Sequence, residues 1–296
     1  MKVTQIKGNT YQCRTQLIDL ILYQLSSKNG ILIDTGYHKT AKSEIIPYLT
    51  ARGMAVKGII NTHGHIDHAG GNNILKMTYG SQIASPYVEN MLSENSYNMY
   101  VMQDNLRFRV FGDTIPKFRY KTDRIINPDH PDFSFLGIDF GIINLHGHSP
   151  YQAGFITPDN VAYLGDVLIS EEMIKKTKLP YIFDVGRDLK SKERLKNLSC
   201  DYYVLSHEGV YDEITSLVDQ NIAHIQSRMD ILLDLLKTPQ VFEDYTANIV
   251  DQLGISANLR KIVYLQRTIR GYLAYFQEMD WVDAYLKDHK IYFVKK

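Results

Sequence analysis

Short apolar runs, each closed by turn-forming residues, recur through the first two thirds of the chain. They are LIDLILYQL (17–25), GILIDTG (30–36), VKGIINT (56–62), GIDFGIINL (137–145), VAYLGD (161–166) and DYYVLSH (201–207). Runs of this length bounded by glycine, asparagine and aspartate predict buried strands. Helical spacing fills several of the intervals: AKSEIIPYLTARG stops on a glycine, and SKERLKNLSC sets Leu195 and Leu198 three apart. Strands alternating with helices predict an α/β fold, with the order of strands left open.

Two stretches break this rhythm. From about Ser85 to Phe135 the chain is rich in Tyr, Phe, Met and Asn, with NMYVMQDNLRFRVFG at its centre. Its plain reading is an insertion packed on its own aromatics; the sharper one is a cover over a pocket. From about Asp219, NIAHIQSRMDILLDLLK places Ile222, Ile225, Met229, Leu232 and Leu236 on one helical stripe. FEDYTANIVDQLG and ANLRKIVYLQRTIRGYLAYFQ predict two more helices, the first ending at Gly254, and WVDAYLKDHKIYFVKK predicts a terminal hairpin around KDHK. Three helices and a hairpin give residues 216–296 a winged-helix-like outline, apart from an α/β unit over 1–215.

Composition excludes little. Lys plus Arg and Asp plus Glu are both 33, so the chain is formally neutral, and bulk charge argues for neither nucleic acid nor an anionic membrane as partner. The C-terminal region is neutral too, with ten basic and ten acidic residues from Asp219 onward. Packing or homodimerisation is therefore the expected role of that region, ahead of RNA binding. No signal-peptide pattern opens the chain, and the two cysteines, Cys13 and Cys200, lie far apart. Both features suit a reducing cytoplasm, and no membrane association is expected.

Chemistry concentrates after the third apolar run. Within THGHIDH, the residues His63, His65, Asp67 and His68 crowd a strand-to-helix corner in a chain of only ten histidines. Gly64 and the pair Gly70–Gly71 let the backbone bend closely there. His148 in INLHGHSP, Asp166 in AYLGD and His207 in YVLSHEG each follow a further strand, where α/β folds expose functional groups. Five imidazoles and two carboxylates suit two borderline divalent cations. His146 is the rival of His148 for the third histidine position.

HGHIDH matches an H-x-H-x-D-H signature, and the series ILIDTG, HGHIDH, GHSP, LGD and LSHEG resembles the metallo-β-lactamase superfamily over about residues 1–215. The resemblance implies a four-layer αββα sandwich with the site along one edge of the paired sheets. It implies that His63, His65 and His148 bind one metal, that Asp67, His68 and His207 bind a second, and that Asp166 bridges them. Asp34 would support the site from behind. Zinc is the default pair of ions, with iron or manganese open.

The chemistry implied is hydrolysis by a metal-bridging hydroxide, because cations at such centres depress the pKa of water. Asp67 would orient the nucleophile and accept its proton. A small ester or thioester is the leading substrate class. A ribonuclease acting on single-stranded RNA is the alternative, followed by an iron-dependent oxidoreductase. The cluster Lys175, Lys176 and Lys178 could hold an anionic substrate or form a solvated helix face, the plainer reading. GHSPYQAGF departs from the commoner GHSPG form, which weighs against a simple glyoxalase II.

Overall fold

A computed structural model of the protein describes residues 1–95, 98, 119–207 and 209–296. The centre of the aromatic-rich segment, 99–112, lies outside the described residues, so the cover expected there is not part of the fold below.

The first sheet contains β1 (Lys2–Lys7), β2 (Thr10–Arg14), β3 (Asp19–Ser26), β4 (Asn29–Ile33), β5 (Ala55–Ile60), β6 (Gln82–Pro86) and β7 (Arg124–Ile126), in that spatial order. It begins as an antiparallel meander and turns parallel from β4 onward. The parallel steps need crossovers. The helical stretch α1 (38–50), then α2 (Ile66–Ala69) and α3 (Asn72–Tyr79), supply two of them. A further helical turn, α4, covers Met91–Glu94.

The second sheet runs β13 (Val210–Tyr211), β12 (Tyr202–Val204), β11 (Val161–Tyr163), β10 (Ala153–Ile156), β9 (Ile138–Asn144) and β8 (Asp132–Phe135). Here only β11 and β12 are parallel. The crossover between them carries α5 (Glu171–Lys176) and α6 (Val185–Leu195).

Side chains alternate across each strand, and both faces of the central strands are buried. Ile21, Tyr23, Ile31, Ile33 and Ile60 of the first sheet meet Phe135, Phe140, Phe155 and Tyr163 of the second. The opposite faces, through Leu20, Leu22, Leu32 and Ile59, pack on Ala41, Ile45, Leu49 and Leu75 of the helices. On the far side Ala162 and Leu164 pack on Leu195, Leu217 and Val218. The result is the four-layer αββα sandwich that the sequence resemblance implies.

The C-terminal region is built from α7 (Thr215–Leu235), α8 (Phe242–Gln252) and α9 (Leu259–Glu278), with a small sheet of order β14 (Gln240–Val241), β16 (Lys290–Lys295), β15 (Val282–Lys287). The first helix joins two cores. Leu217, Val218 and Ile222 face the second sheet, whereas Ile225, Met229 and Leu232 enter a separate core with Tyr245, Ile249, Ile269, Tyr272 and Phe276. Ile182, just before α6, and Val185, its first residue, belong to that same core. The C-terminal helices are thus packed against the sandwich by continuous apolar contact. Among the described residues, no helix is long and apolar enough to cross a membrane.

Phe155, fully buried between the sheets, tests this packing. Phe155→Ala should lower the unfolding free energy by about 3–5 kcal/mol through lost contact and a residual cavity. The readout is a lower urea midpoint at unchanged slope.

Candidate metal centre

All seven predicted donor residues converge, because each leaves the carboxyl end of a strand along one edge of the sandwich. β5 delivers 61–68, β9 leads to His148, β11 to Asp166 and β12 to His207. Two groups result: His63, His65 and His148 form one, and Asp67, His68, Asp166 and His207 the other. Within each group the donor atoms lie within 4.8 Å of one another.

In the first group, His65 Nδ1 is 2.9 Å from His63 Nε2 and 3.1 Å from His148 Nε2. Nitrogens bound tetrahedrally at about 2.0–2.1 Å from a shared ion would stand about 3.3 Å apart, so the spacing fits such an ion. In the second, His68 Nε2 lies 3.1 Å from Asp166 Oδ1. His207 Nε2 lies 3.5 Å from Asp67 Oδ2 and 3.5 Å from Asp166 Oδ2. The same Asp166 Oδ2 is 3.5 Å from His148 Nε2, so this one carboxylate reaches both groups.

The ring tautomers are set from behind. Asp34, at the end of β4, accepts Thr62 N at 2.9 Å, Thr62 Oγ1 at 2.7 Å and His68 Nδ1 at 2.8 Å. Since Thr62 donates its proton to Asp34, its oxygen accepts His63 Nδ1–H at 3.0 Å. His207 Nδ1 donates to the Leu17 carbonyl at 3.1 Å. For these three histidines Nδ1 is therefore engaged and Nε2 turns inward, toward the other members of its group. His68 Nε2 is buried against the Asp166 carboxylate at 3.1 Å. A cation in this pocket would take up that nitrogen together with the carboxylate oxygen. Asp34 holds a left-handed backbone, φ 62°, a conformation costing roughly 1–2 kcal/mol.

Electrostatics separates the two groups. Burial holds His148 down to about 3. Burial, followed by the neighbouring His68 and His65, holds His63 well below its ordinary value. These rings are neutral with lone pairs exposed to one another. His207 behaves oppositely: burial opposes its charge, but Asp166 and Asp67 outweigh it and carry the pKa up to about 10. His68 is likewise raised well above its usual value, against burial, by Asp166, Asp34 and Asp67. Asp67 is held down to about 2, burial opposing, by His68 and His207.

The glycines act by close approach rather than by unusual dihedrals. Gly70 and Gly71 have ordinary φ of −63° and −83°. A Cβ on Gly71 would come within 2.6 Å of the Thr35 carbonyl, and one on Gly70 within 2.2 Å of the Ile66 carbonyl. The loop after β4 lies directly on α2, and Thr35 N and Oγ1 both donate to the His68 carbonyl at 2.7 and 3.0 Å.

Two residues at the centre escape sequence reasoning. Glu89, buried, accepts Gly64 N at 2.9 Å through one oxygen and Ser149 Oγ and Tyr151 N, each at 2.8 Å, through the other. It ties the HGHIDH corner to the His148 loop, 25 positions away on one side and 60 on the other. Tyr181 packs edge-on against His65 and His148, with ring centroids 5.5 and 5.4 Å away. His146 stands outside both groups. Its ring lies 4.7 Å from that of Tyr151, the residue at which GHSPYQAGF departs from the commoner form. Lys175, Lys176 and Lys178 are exposed, and Lys176 pairs with Glu172, as expected of a solvated helix face.

The family model of the metallo-beta-lactamase superfamily matches residues 18–207, and the chain belongs to that superfamily. It is 28% identical over 191 residues to hydroxyacylglutathione hydrolase GloC of Haemophilus influenzae, covering 63% of this chain and 83% of that protein. It is 22% identical over 213 residues to lactamase-like protein adaB of Aspergillus niger, covering 72% of this chain and 56% of the relative. A metallo-beta-lactamase family protein of Thermus thermophilus superposes with a TM-score of 0.72 at 18% identity, over 97% of this chain and 99% of that one. A beta-lactamase domain protein of Burkholderia ambifaria gives 0.70 at 14% identity, over 100% and 94%. At these identities the structural likeness concerns the fold alone, and it extends over the C-terminal helices.

Two measurements check the donor geometry. Asp34→Ala leaves His68 Nδ1 without its acceptor and should weaken metal binding by about 10–100-fold, with circular dichroism unchanged. In the metal-free protein at pH 7, His68 and His207 carry protons that a cation must displace. Metal uptake should therefore release about two protons, and apparent affinity should rise with pH from neutrality toward 10. Calorimetry in buffers of different ionisation enthalpy reads both.

Proposed function

We propose that the protein is a metal-dependent hydrolase of a small ester or thioester, with a pair of divalent cations held by the seven converging residues. The observation that carries this reading is the Asp166 carboxylate, whose two oxygens reach His68 on one side and both His148 and His207 on the other. A carboxylate shared in this way is the arrangement two neighbouring cations need to balance their mutual repulsion. His63, His65 and His148 would hold one ion, and Asp67, His68 and His207 the other. Nitrogen and oxygen donors without thiolate favour zinc, with manganese and iron next. When bound, the ions would supply activated water at neutral pH and an electrophilic contact for the substrate oxygen.

The chain's own residues provide orientation. Asp34 and Thr62 fix the rings of His68 and His63, and Glu89 keeps the two histidine loops in register. Asp67 is ionised throughout the physiological range, with a pKa of about 2. Such weak basicity suits it to accept a hydrogen bond and aim the attacking oxygen more than to take up the proton at pH 7. Tyr181 shields one flank of the first histidine group from solvent. The catalytic unit in this reading is residues 1–215, with 216–296 packed on it.

Among substrates, the ester and thioester class is favoured by the Haemophilus relative, which is named for hydrolysis of hydroxyacylglutathione, a thioester. The neutral C-terminal region weighs against RNA, whose binding depends on a basic surface.

The metal-loaded protein should turn over thioesters or simple esters in a screen that also offers lactones, phosphodiesters and short RNA. Asp166→Ala and His148→Ala should each lower that turnover by at least about a thousandfold, in keeping with loss of an electrostatic element of the reacting centre, while the fold is retained. Faster cleavage of RNA than of any ester would overturn the ranking. One iron per chain by elemental analysis, with no hydrolysis, would point to an oxidoreductase.

A further inference from the structure

Helix α9 carries two arginines on the face that meets the Tyr181 loop. Its approach is fixed by Gly271, where a Cβ would come within 2.9 Å of the Phe183 carbonyl and 3.0 Å of the Ile182 carbonyl. The helix therefore lies directly on the loop that carries Tyr181. That loop is itself anchored beside His148, because Phe183 N and Asp184 N both donate to the Gly147 carbonyl at 2.9 Å. Arg267, Tyr264 and Arg260 precede Gly271 by four, seven and eleven positions, spacings that keep all four on one helical face. The Tyr264 ring sits between the two guanidinium groups, 5.9 Å from Arg260 and 5.6 Å from Arg267. The charge of Arg267 acts on Tyr181, and that of Arg260 on Tyr37, which also lies in the field of Asp67 and Asp166.

The remaining cations of this helix face elsewhere. Lys261 Nζ donates to the Ser256 carbonyl at 3.1 Å, and Arg270 lies 4.3 Å over the Phe242 ring. Among the described residues, Arg267 Nη2 is buried and has no hydrogen-bond partner. A buried guanidinium nitrogen without an acceptor is a standing cost that an incoming oxygen anion would relieve.

We propose that Arg267 and Arg260, with Tyr264 between them, form the recognition site for an anionic group, carboxylate or phosphate, on the ester or thioester whose carbonyl is cleaved at the centre. This specificity site rests on the hydrolase reading above. Guanidinium groups match the planar or tetrahedral oxygens of such anions with paired donors, and the intervening ring limits the rotamers of both side chains. The location also explains why a substrate anion need not use the exposed lysines of α5.

The test compares acetyl thioesters of 3-mercaptopropanoate and of its neutral amide on the metal-loaded full chain. The wild type should prefer the anion. Arg267→Gln and the more exposed Arg260→Gln should each cut that preference, the ratio of the two kcat/KM values, by about tenfold. The loss should appear mainly in KM, with partial recovery in Arg267→Lys. An unchanged ratio, or equal loss on both thioesters, would overturn the proposal by leaving the arginines a structural role only.

Calorimetry with uncleavable thioethers reads the site without turnover. 3-(Hexylthio)propanoate or 2-(hexylthio)ethyl phosphate should bind about tenfold or more tightly than 3-(hexylthio)propanamide, and the tighter anion identifies the source. That selectivity should vanish in Arg267→Gln. Selective binding with no cleavage of either thioester by the wild type would sink the hydrolase reading and uphold the arginine site. Indiscriminate binding would overturn the arginine site whatever the turnover. Tighter binding of a short single-stranded RNA than of either anion, lost in the same variants, would overturn it in favour of nucleic acid.

Discussion

Three imidazole nitrogens meet where His63, His65 and His148 converge, and neutral rings do not choose this arrangement unaided. A ring nitrogen can share one proton with one neighbour, yet His65 Nδ1 faces two nitrogens at hydrogen-bond distance. Protonation offers no relief, since burial keeps His63 and His148 uncharged. The crowding persists because the surrounding fold imposes it. β5 and the loop after β9 are fixed to each other by Glu89, and Asp34 locks the Thr62–His63 turn. Much of the buried polar network at this edge of the sandwich serves to hold donors where repulsion would spread them.

The balance of the second group follows from the same economy of charge. Asp67, Asp166 and Asp34 stand around His68 and His207, and the carboxylates raise the affinity of those rings for a positive charge of any kind. Protons and metal ions then compete for the same nitrogens. The first group, kept neutral by burial, has no such competition. The two halves of the centre therefore differ in how their occupancy responds to pH, although they share Asp166.

Much of this was legible in the sequence, for identifiable reasons. The strands recognised from their apolar runs, such as β3, β4 and β12, are buried on both faces, so their composition alone marks them. β1 was missed because most of its residues are exposed, and β7, β10 and β13 because two to four residues carry too little pattern. The start of α6 was obscured by Gly186 and by the buried pair Asp188–Lys192, which places two charges on the inward face. The three helices and terminal hairpin expected at the C-terminus appear as α7 to α9, β15 and β16, whereas the winged-helix likeness rested on that order alone and is not established by it; the added strand β14 had no sequence signal beyond two residues. The seven converging residues were readable because each follows a strand, in the turn or first helical turn beyond its carboxyl end. Glu89 and Tyr181 were not, because they sit in irregular loops and matter only through contacts with distant parts of the chain.

The division between the donor set and its surroundings bears on how one fold serves different substrates. The seven converging residues follow strand ends whose positions are fixed by the two-sheet core. Tyr181 and the arginines of α9 approach from a loop and a helix whose placement depends on one close contact at Gly271 and on a separate apolar core. A side chain at position 271 would push that helix away from the Ile182–Phe183 carbonyls without touching a donor residue. In the reading proposed above, affinity for a substrate's remote groups and the chemistry at its carbonyl would thus be held by different parts of the molecule. Under that reading only the remote contacts could change freely, since binding energy far from the reacting bond can be redistributed while the centre keeps its geometry.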